Sequence, residues 1–334
     1  MTIRVAINGF GRIGRSVSRI LFKSKDIELV AINDLFDAKM LAYLLQYDTI
    51  MGTLDENVTY DDKHLIIGSR KILLTQEKKP TALPWKELGV DVVIESTGHF
   101  RKRSQLEQHL EAGAKRVLLT VPPQDSVDAM VVMGVNDDTL KAEHRLVSNA
   151  SCTTNCLAPV AQVLHAAFGI QHGFMTTVHA YTNDQRLADV PHSDFRRSRA
   201  AAENIIPTTT GAAKAVGEVL PELDGKLDGI AVRVPVPDGS LVDLVLQLTQ
   251  KPSRNEINAA IQKAATGKLK GILRYSEDEL VSSDIIGDPH SSIFDAQLTQ
   301  THGNGYARVV SWYDNEWGYS NRCVDLLRKM ALLA

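Results

Sequence analysis

Short apolar runs alternate with stretches of helical spacing along the first half of the chain. The run Ile3 to Ile7, in IRVAIN, stops at glycines and gives way to Val17, Ile20 and Leu21, which share one helix face. Further apolar runs in ELVAIND, DVVIEST, KRVLLT and AMVVMGVN read as buried strands, with a helical pattern over 102–112 before the third of them. This alternation predicts a mostly parallel sheet covered by helices, whose ligand crevice lies at the carboxyl ends of the strands. Ser96, Thr97, Gly98 and Thr120 fall at those ends. Segment 58–74 reads as an antiparallel excursion and KKPTALP as a surface turn.

In the second half, HRLVSNASCTTNCLAPVAQVLHAAFG runs from a short strand into an amphipathic helix, and GFMTTVHAYTND is an apolar strand that ends near His179. Then NDQRLADVPHSDFRRSRAAAENIIP extends for about 25 residues with little periodicity, which is long for an idle loop in a compact domain. TTTGAAKAV opens another helix at Thr210 and Gly211, and GIAVRVPV is an apolar strand with Arg233 inside it. There is no internal repeat and no low-complexity tract.

A length of 334 residues with 44% hydrophobic content exceeds the usual single core, so two domains are expected. The formal net charge of -3 gives no general attraction to nucleic acid or anionic lipid. The opening MTIRVAINGFG lacks a signal-peptide pattern, and no stretch has the uncharged apolar length of a membrane span, so a cytoplasmic protein is expected. Three cysteines, Cys152, Cys156 and Cys323, are too few and too scattered for a disulfide framework. A metal shared by Cys152 and Cys156 would lack further ligands at suitable spacing, and no metal site is expected.

Gly9, Gly11 and Gly14 form G-x-G-x-x-G between a strand and a helix. The first glycine permits a tight turn and the second lets backbone approach a pyrophosphate. The third lets helix pack on strand, while the helix N-terminus offers N–H groups to the anion. Asp34 ends the second strand about 20 residues further on, where a carboxylate accepts hydrogen bonds from a ribose 2′-hydroxyl. Alone, Asp34 reads equally well as a strand-end turn residue; with the glycines, the cofactor reading leads. The same carboxylate would repel a 2′-phosphate, which favours NAD over NADP.

Cys152 falls at a helix N-terminus, with Ser151 and Thr153 where N-caps are preferred. Aligned N–H groups there favour a thiolate, so a depressed thiol pKa and a nucleophilic sulfur are expected, against the ordinary reading of a free cysteine as buried and inert. Cys156, a turn further on, and Cys323 read as packing. His179 at its strand end is the candidate proton-transfer partner; His64, His109 and His302 read as polar loop or surface histidines. Arg196, Arg197 and Arg199 cluster in the long loop, which by default is a solvated or ion-paired face. A charge at Arg233 inside an apolar strand must be paired or bind an anion. Thr210, Gly211 and a nearby guanidinium could together hold a phosphate.

Taken together, INGFGRIGR, SNASCTTNC, HAYTNDQ, RAAAENIIPTTTGAAKA, AVRVP and WYDNEWGYSNR resemble the phosphorylating glyceraldehyde-3-phosphate dehydrogenases over nearly the whole chain. The resemblance implies an NAD-binding Rossmann-type domain over 1–150, with a doubly wound, mostly parallel sheet and the C-terminal helix 316–334 packed back onto it. It implies an α+β catalytic domain over 151–315 with a mixed or antiparallel sheet. Cys152 is then the nucleophile toward an aldehyde and His179 its acid–base partner. Thr182 and Arg233, with Asp184 nearby, match the site for the substrate phosphate. Ser151, Thr153, Arg197, Thr210 and Gly211 match the site for inorganic phosphate. Arg12 and Ile13 belong to the pyrophosphate turn, Asn315 to the nicotinamide carboxamide and Tyr319 to the side of that ring. A homotetramer follows by the same analogy, with the arginine-rich loop lining the cofactor pocket across a subunit boundary.

One stretch departs from that pattern: after Thr120 the chain reads VPPQDSVDAMVV, over 121–132, where such proteins often carry a small-residue run with a lysine. Two other readings compete. An erythrose-4-phosphate dehydrogenase would share scaffold, thiol and histidine but hydrolyse its thioester, and HAYTNDQ argues against it. A nucleotide-binding redox sensor would use Cys152 without turnover.

Overall fold

The computed structural model describes residues 2–333. They fall into two compact units. The first comprises the chain up to Val131, Asp137–Ala150, and the chain from Ser320 onward; the second comprises Val132–Asn136 and Ser151–Tyr319.

The first unit contains β1 (Ile3–Asn8), α1 (Arg12–Phe22), β2 (Ile27–Asn33), α2 (Ala38–Gln46), β3 (Val58–Tyr60), β4 (His64–Ile67), β5 (Arg70–Thr75), β6 (Val92–Glu95), α3 (Arg103–Glu111), β7 (Arg116–Leu119), β8 (Ala129–Met130) and β9 (Leu146–Ser148). They make one sheet in the order β3-β4-β5-β2-β1-β6-β7-β9-β8. The pairings β5-β2, β2-β1, β1-β6, β6-β7, β7-β9 and β9-β8 are all parallel. The 58–74 excursion is antiparallel, as its sequence indicated, through β3-β4 and β4-β5. Val5, Ala6, Ile7, Val92, Val93, Ile94, Val117 and Leu118 are fully buried, because a sheet covered on both faces hides both sides of each strand. From β1 the chain builds outward on one side to β2 and later returns to the other side as β6, which leaves a crevice at the carboxyl ends of β1 and β6.

Three expectations need correction here. AMVVMGVN forms only the two-residue β8 before the chain turns. KKPTALP is not merely surface: Pro80–Ala82 is a 3-10 turn, and Pro80 and Leu83 are buried. His109 is not exposed but fully buried on α3; it accepts from Trp85 Nε1 at 3.1 Å and lies 3.0 Å from Glu95 Oε2, so a paired polar network lets it sit in the core.

The second unit contains α4 (Cys152–Phe168), β10 (Ile170–Ala180), β11 (Ile206–Thr209), α5 (Ala212–Val219), β12 (Leu227–Val234), β13 (Ser240–Leu248), α6 (Arg254–Thr266), β14 (Leu273–Ser276), β15 (Ser292–His302), β16 (Tyr306–Tyr313) and the start of α7 (Trp317–Leu332). Its sheet is mixed, in the order β11-β12-β10-β13-β16-β15-β14. β10 pairs parallel with β12 and antiparallel with β13. α4 is apolar nearly all round, with Cys156, Leu157, Ala158, Ala161 and Leu164 at 1% exposure or less, as befits a central helix. From Ser320 on, α7 belongs to the first unit, where Arg328 pairs with Asp26 at 2.8 Å and Arg116 donates to Met330 O. Among the described residues, no helix is long and apolar enough to cross a membrane.

Candidate active site

In the first unit the three glycines differ in what surrounds them. Gly9 has φ +91, and a Cβ there would lie 2.6 Å from Thr97 N, so the turn after β1 and the end of β6 approach too closely for a side chain. A Cβ on Gly14 would lie 2.3 Å from Gly9 O, so this position serves helix-to-turn packing. Gly11, the N-cap of α1, has no atom within 4 Å of its Cβ position and no side-chain cap, which leaves open space in front of the helix N-terminus. Asp34 accepts from Phe10 N–H through Oδ2 at 2.7 Å and from Phe36 N–H through Oδ1 at 3.1 Å. Each oxygen keeps a lone pair for a hydroxyl donor. Ser96 donates to Gly9 O at 2.6 Å and Thr120 to Glu95 O at 3.0 Å, so both hydroxyls brace the crevice. Thr97 donates to Glu95 Oε1, and Gly98 turns the chain with φ +72. Arg12, paired with Asp48, and Ile13 occupy the first turn of α1. These residues fit a dinucleotide: an open cradle at a helix N-terminus, flanked by a carboxylate at the end of the next strand.

In the second unit Cys152 begins α4. Ser151 is the N-cap, its hydroxyl accepting from Thr154 N–H at 3.0 Å. Ala150 precedes it with φ +54, the left-handed region; it is the non-glycine residue with positive φ among the described residues. Such strain costs about 1–3 kcal/mol and persists where surrounding contacts enforce it. Thr153 does not cap: its hydroxyl meets Tyr313 OH at 2.8 Å, and Tyr313 OH also meets Thr177 Oγ1 at 2.9 Å.

The sheet register brings the remaining groups together. β10 and β12 run parallel with His179 opposite Arg233, so residues far apart in sequence become neighbours on one face. Cys152 Sγ lies 3.5 Å from His179 Nε2. Arg233 Nη1 lies 2.7 Å from His179 Nδ1 and 2.9 Å from Ala180 O. A guanidinium can only donate, so in this arrangement Nδ1 accepts and the ring proton sits on Nε2, facing the sulfur. Nδ1 is itself 2.7 Å from Ala180 O, ready to donate there if Arg233 turns away. Arg233 Nε is buried with no partner. Arg197 pairs with Asp184 at 2.6 Å and donates to Thr208 Oγ1 at 2.9 Å, while Thr182 donates to Asp184. Thr210 Oγ1 accepts from Ala212 N–H at 3.2 Å, and Gly211 caps α5 with open space before it.

Electrostatics corrects one expectation. The Cys152 thiol is not depressed: burial pushes it up, outweighing Arg233 and the hydrogen bonds from Thr153 that favour the thiolate. His179 is pushed down, to about 3, first by burial and then by Arg233. Both shifts favour the uncharged forms of the pair. Cys156 is pushed up to about 12 by burial, which suits an inert packing thiol. Cys323 is fully buried, 3.4 Å from Asn149 Nδ2.

Asn315 and Tyr319 are both buried in the second unit, and Asn315 Oδ1 accepts from Ser240 Oγ at 2.7 Å. Sequence reasoning missed Tyr313, Ser240 and Thr208. Tyr313 stands in the quoted WYDNEWGYSNR and Thr208 opens TTTG, but their partners come from other strands and carry no local signal.

A Rossmann-type dinucleotide unit joined to a unit bearing a cysteine–histidine pair among cationic side chains is the makeup of an NAD-dependent oxidoreductase. Residues 3–103 match the family model "Glyceraldehyde 3-phosphate dehydrogenase, NAD binding domain", and residues 151–315 match the corresponding C-terminal domain. The chain belongs to the glyceraldehyde 3-phosphate dehydrogenase family. It is 57% identical over 329 residues to a glyceraldehyde-3-phosphate dehydrogenase of Streptomyces coelicolor, covering 98% of each chain. It is 57% identical over 334 residues to one of Mycobacterium leprae, again covering 98% of each. With glyceraldehyde-3-phosphate dehydrogenase 1 of Bacillus subtilis it shares 55% over 332 residues, 99% of each.

Proposed function

We propose that this chain oxidises D-glyceraldehyde 3-phosphate with NAD and inorganic phosphate to 1,3-bisphosphoglycerate, as a cytoplasmic enzyme of glycolysis. The observation that carries this reading is Cys152 Sγ at 3.5 Å from His179 Nε2, with Arg233 alongside. Sulfur attacks the aldehyde carbon to give a thiohemiacetal as the thiol proton passes to His179 Nε2. His179 Nε2–H donates to the aldehyde oxygen as negative charge develops on it. Substrate phosphate engages Arg233 and Thr182 and draws the guanidinium from His179 Nδ1. With the guanidinium withdrawn, the tautomer protonated at Nδ1 is held by Ala180 O, so Nε2 can take the thiol proton, pass it to the aldehyde oxygen and recover it from the hydroxyl during oxidation. NAD would be held at the glycine turn with Asp34 on its ribose and would supply the hydride acceptor; the family resemblance assigns Asn315 to its carboxamide. Inorganic phosphate, bound by Ser151, Thr153, Arg197, Thr210 and Gly211, attacks the resulting thioester and releases an acyl phosphate.

The phosphate-dependent reading is favoured over a hydrolytic erythrose-4-phosphate dehydrogenase by two clusters of anion-binding groups in one unit. It is favoured over a thiol redox sensor by the imidazole facing the sulfur. NADH formation from glyceraldehyde 3-phosphate should require inorganic phosphate, and Cys152→Ser should abolish turnover while NAD still binds; equal rates without phosphate would overturn the assignment.

A homotetramer accords with the exposed apolar residues Leu187 and Phe195, each 88% exposed on the arginine-rich loop, and with Phe174, Ile230 and Val245 on one sheet. Native mass spectrometry tests it. The net charge and the absence of a membrane-spanning helix among the described residues support neither a nucleic-acid nor a membrane partner.

A further inference from the structure

Asp238, between β12 and β13, is fully buried and poorly satisfied. Its Oδ1 accepts from Gly239 N–H at 2.8 Å, but its Oδ2 has no N–H or hydroxyl donor. What it meets is the carboxyl group of Asp314. Asp314, 1% exposed, is held as an acceptor on both oxygens. Oδ2 takes Gly287 N–H at 2.7 Å, and Oδ1 takes Glu316 N–H at 2.8 Å and Trp317 N–H at 2.5 Å at the head of α7. Two buried carboxylates in contact repel unless a proton lies between them. Three N–H donors hold the charge on Asp314, whereas Asp238 has one, so the proton belongs on Asp238.

We propose that Asp238 is a carboxylic acid at neutral pH, donating its proton to Asp314, and that this acid–carboxylate pair positions Asn315. The assignment of Asn315 to the cofactor rests on the reading of the site given above. Asn315 follows Asp314 directly, and Ser240 lies just beyond Asp238. Ser240 Oγ accepts from Ala180 N–H at 3.0 Å, so its proton goes to Asn315 Oδ1. The amide is therefore turned with its oxygen toward Ser240 and its N–H groups available to a carbonyl oxygen. Segments 238–240 and 314–315 together set that orientation, and the shared proton ties them.

The surrounding charges agree. Burial, then Asp314 and Glu316, push the Asp238 carboxyl up, to about 9. An ionised Asp238 would also disfavour a thiolate on Cys152, at the start of α4. The 3-10 turn packed on Gly239 carries Asp284, which accepts from Val281 N–H. Beyond Gly287, Asp288 is paired with Arg274 and His290.

Infrared spectroscopy of the full-length protein at pH 7 should show the C=O stretch of a protonated buried carboxyl group, missing in Asp238→Asn. Calorimetric NAD affinity of the wild type should fall as pH rises from 7 to 10. Asp238→Asn, whose amide donates to Asp314 in place of the acid, should hold its affinity across that range. Asp238→Leu, which offers no donor, should bind NAD about tenfold or more weakly at pH 7. Absence of the acid band in the wild type overturns the pair, whatever the turnover. An alkaline loss in Asp238→Asn equal to that of the wild type, or unimpaired binding in Asp238→Leu, overturns the positioning role. Lack of NAD-dependent turnover in the wild type would instead overturn the reading of the site and leave the infrared result standing.

Discussion

A methyl group added at Gly11 and one added at Gly14 should do different things, although both glycines belong to one fingerprint. At Gly14 the new Cβ would lie 2.3 Å from Gly9 O, a backbone atom that moves only with the turn itself. Overpacking of this kind costs about 1–3 kcal/mol, so Gly14→Ala should lower stability and NAD affinity together. At Gly11, φ is -70 and no atom lies within 4 Å of the Cβ position. Removing a glycine there stiffens the unfolded chain, a gain of about 0.4–1 kcal/mol, while alanine is the poorer N-cap by a similar amount. The net stability change should stay within about 0.5 kcal/mol. A ligand pyrophosphate drawn onto the helix N-terminus would, however, meet the methyl group and lose charge-assisted hydrogen bonds worth about 1.5–3 kcal/mol, or roughly 10- to 150-fold in affinity. Urea titration and calorimetry of NAD binding on both variants separate the two effects. Unchanged NAD affinity in a stable Gly11→Ala would refute the claim that the space before α1 is reserved for phosphate.

Asp34→Ala should raise NADP turnover relative to NAD, and a coenzyme preference identical to wild type in steady-state kinetics would remove Asp34 from ribose recognition. Tyr313→Phe strips one buried hydroxyl from both Thr153 and Thr177, which should cost about 2 kcal/mol in chemical denaturation; a loss within error would mean those threonines find other partners. The raised Asp238 carboxyl has a defined linkage sign. Folding takes up a proton between its ordinary range near 4 and about 9, so its contribution is fullest at low pH and declines by about 1.4 kcal/mol per pH unit across that window. Asp238→Asn should therefore gain stability relative to wild type from pH 5 to pH 9, and a constant difference in denaturation midpoints would mean that Asp238 is ionised in the folded state.

Much of this was legible along the chain because the signals are local. A strand buried on both faces must be apolar throughout, and a tight phosphate turn must be glycine, so the first unit's parallel sheet and its cradle follow from residues close in sequence. Ser151 as N-cap and Cys152 at the helix start are equally local, since capping is decided within one turn. The thiol's direction of shift was misjudged because a helix N-terminus is visible in sequence and desolvation is not. His109 was misplaced for the same reason: Trp85 and Glu95, which satisfy it in the core, lie on other segments.

By itself, then, the sequence determined the periodicities, the turns and the chemical types at hand: a cysteine at a helix start, a histidine at a strand end, an arginine inside an apolar strand. Tertiary structure alone decided their meetings. The parallel register of β10 and β12 sets His179 against Arg233, and the approach of Asp238 to Asp314 joins two carboxyl groups that no local pattern connects. The physical reason is range: propensity, capping and glycine freedom act over a few residues, whereas burial, strand register and charge coupling depend on what the rest of the chain folds against each group.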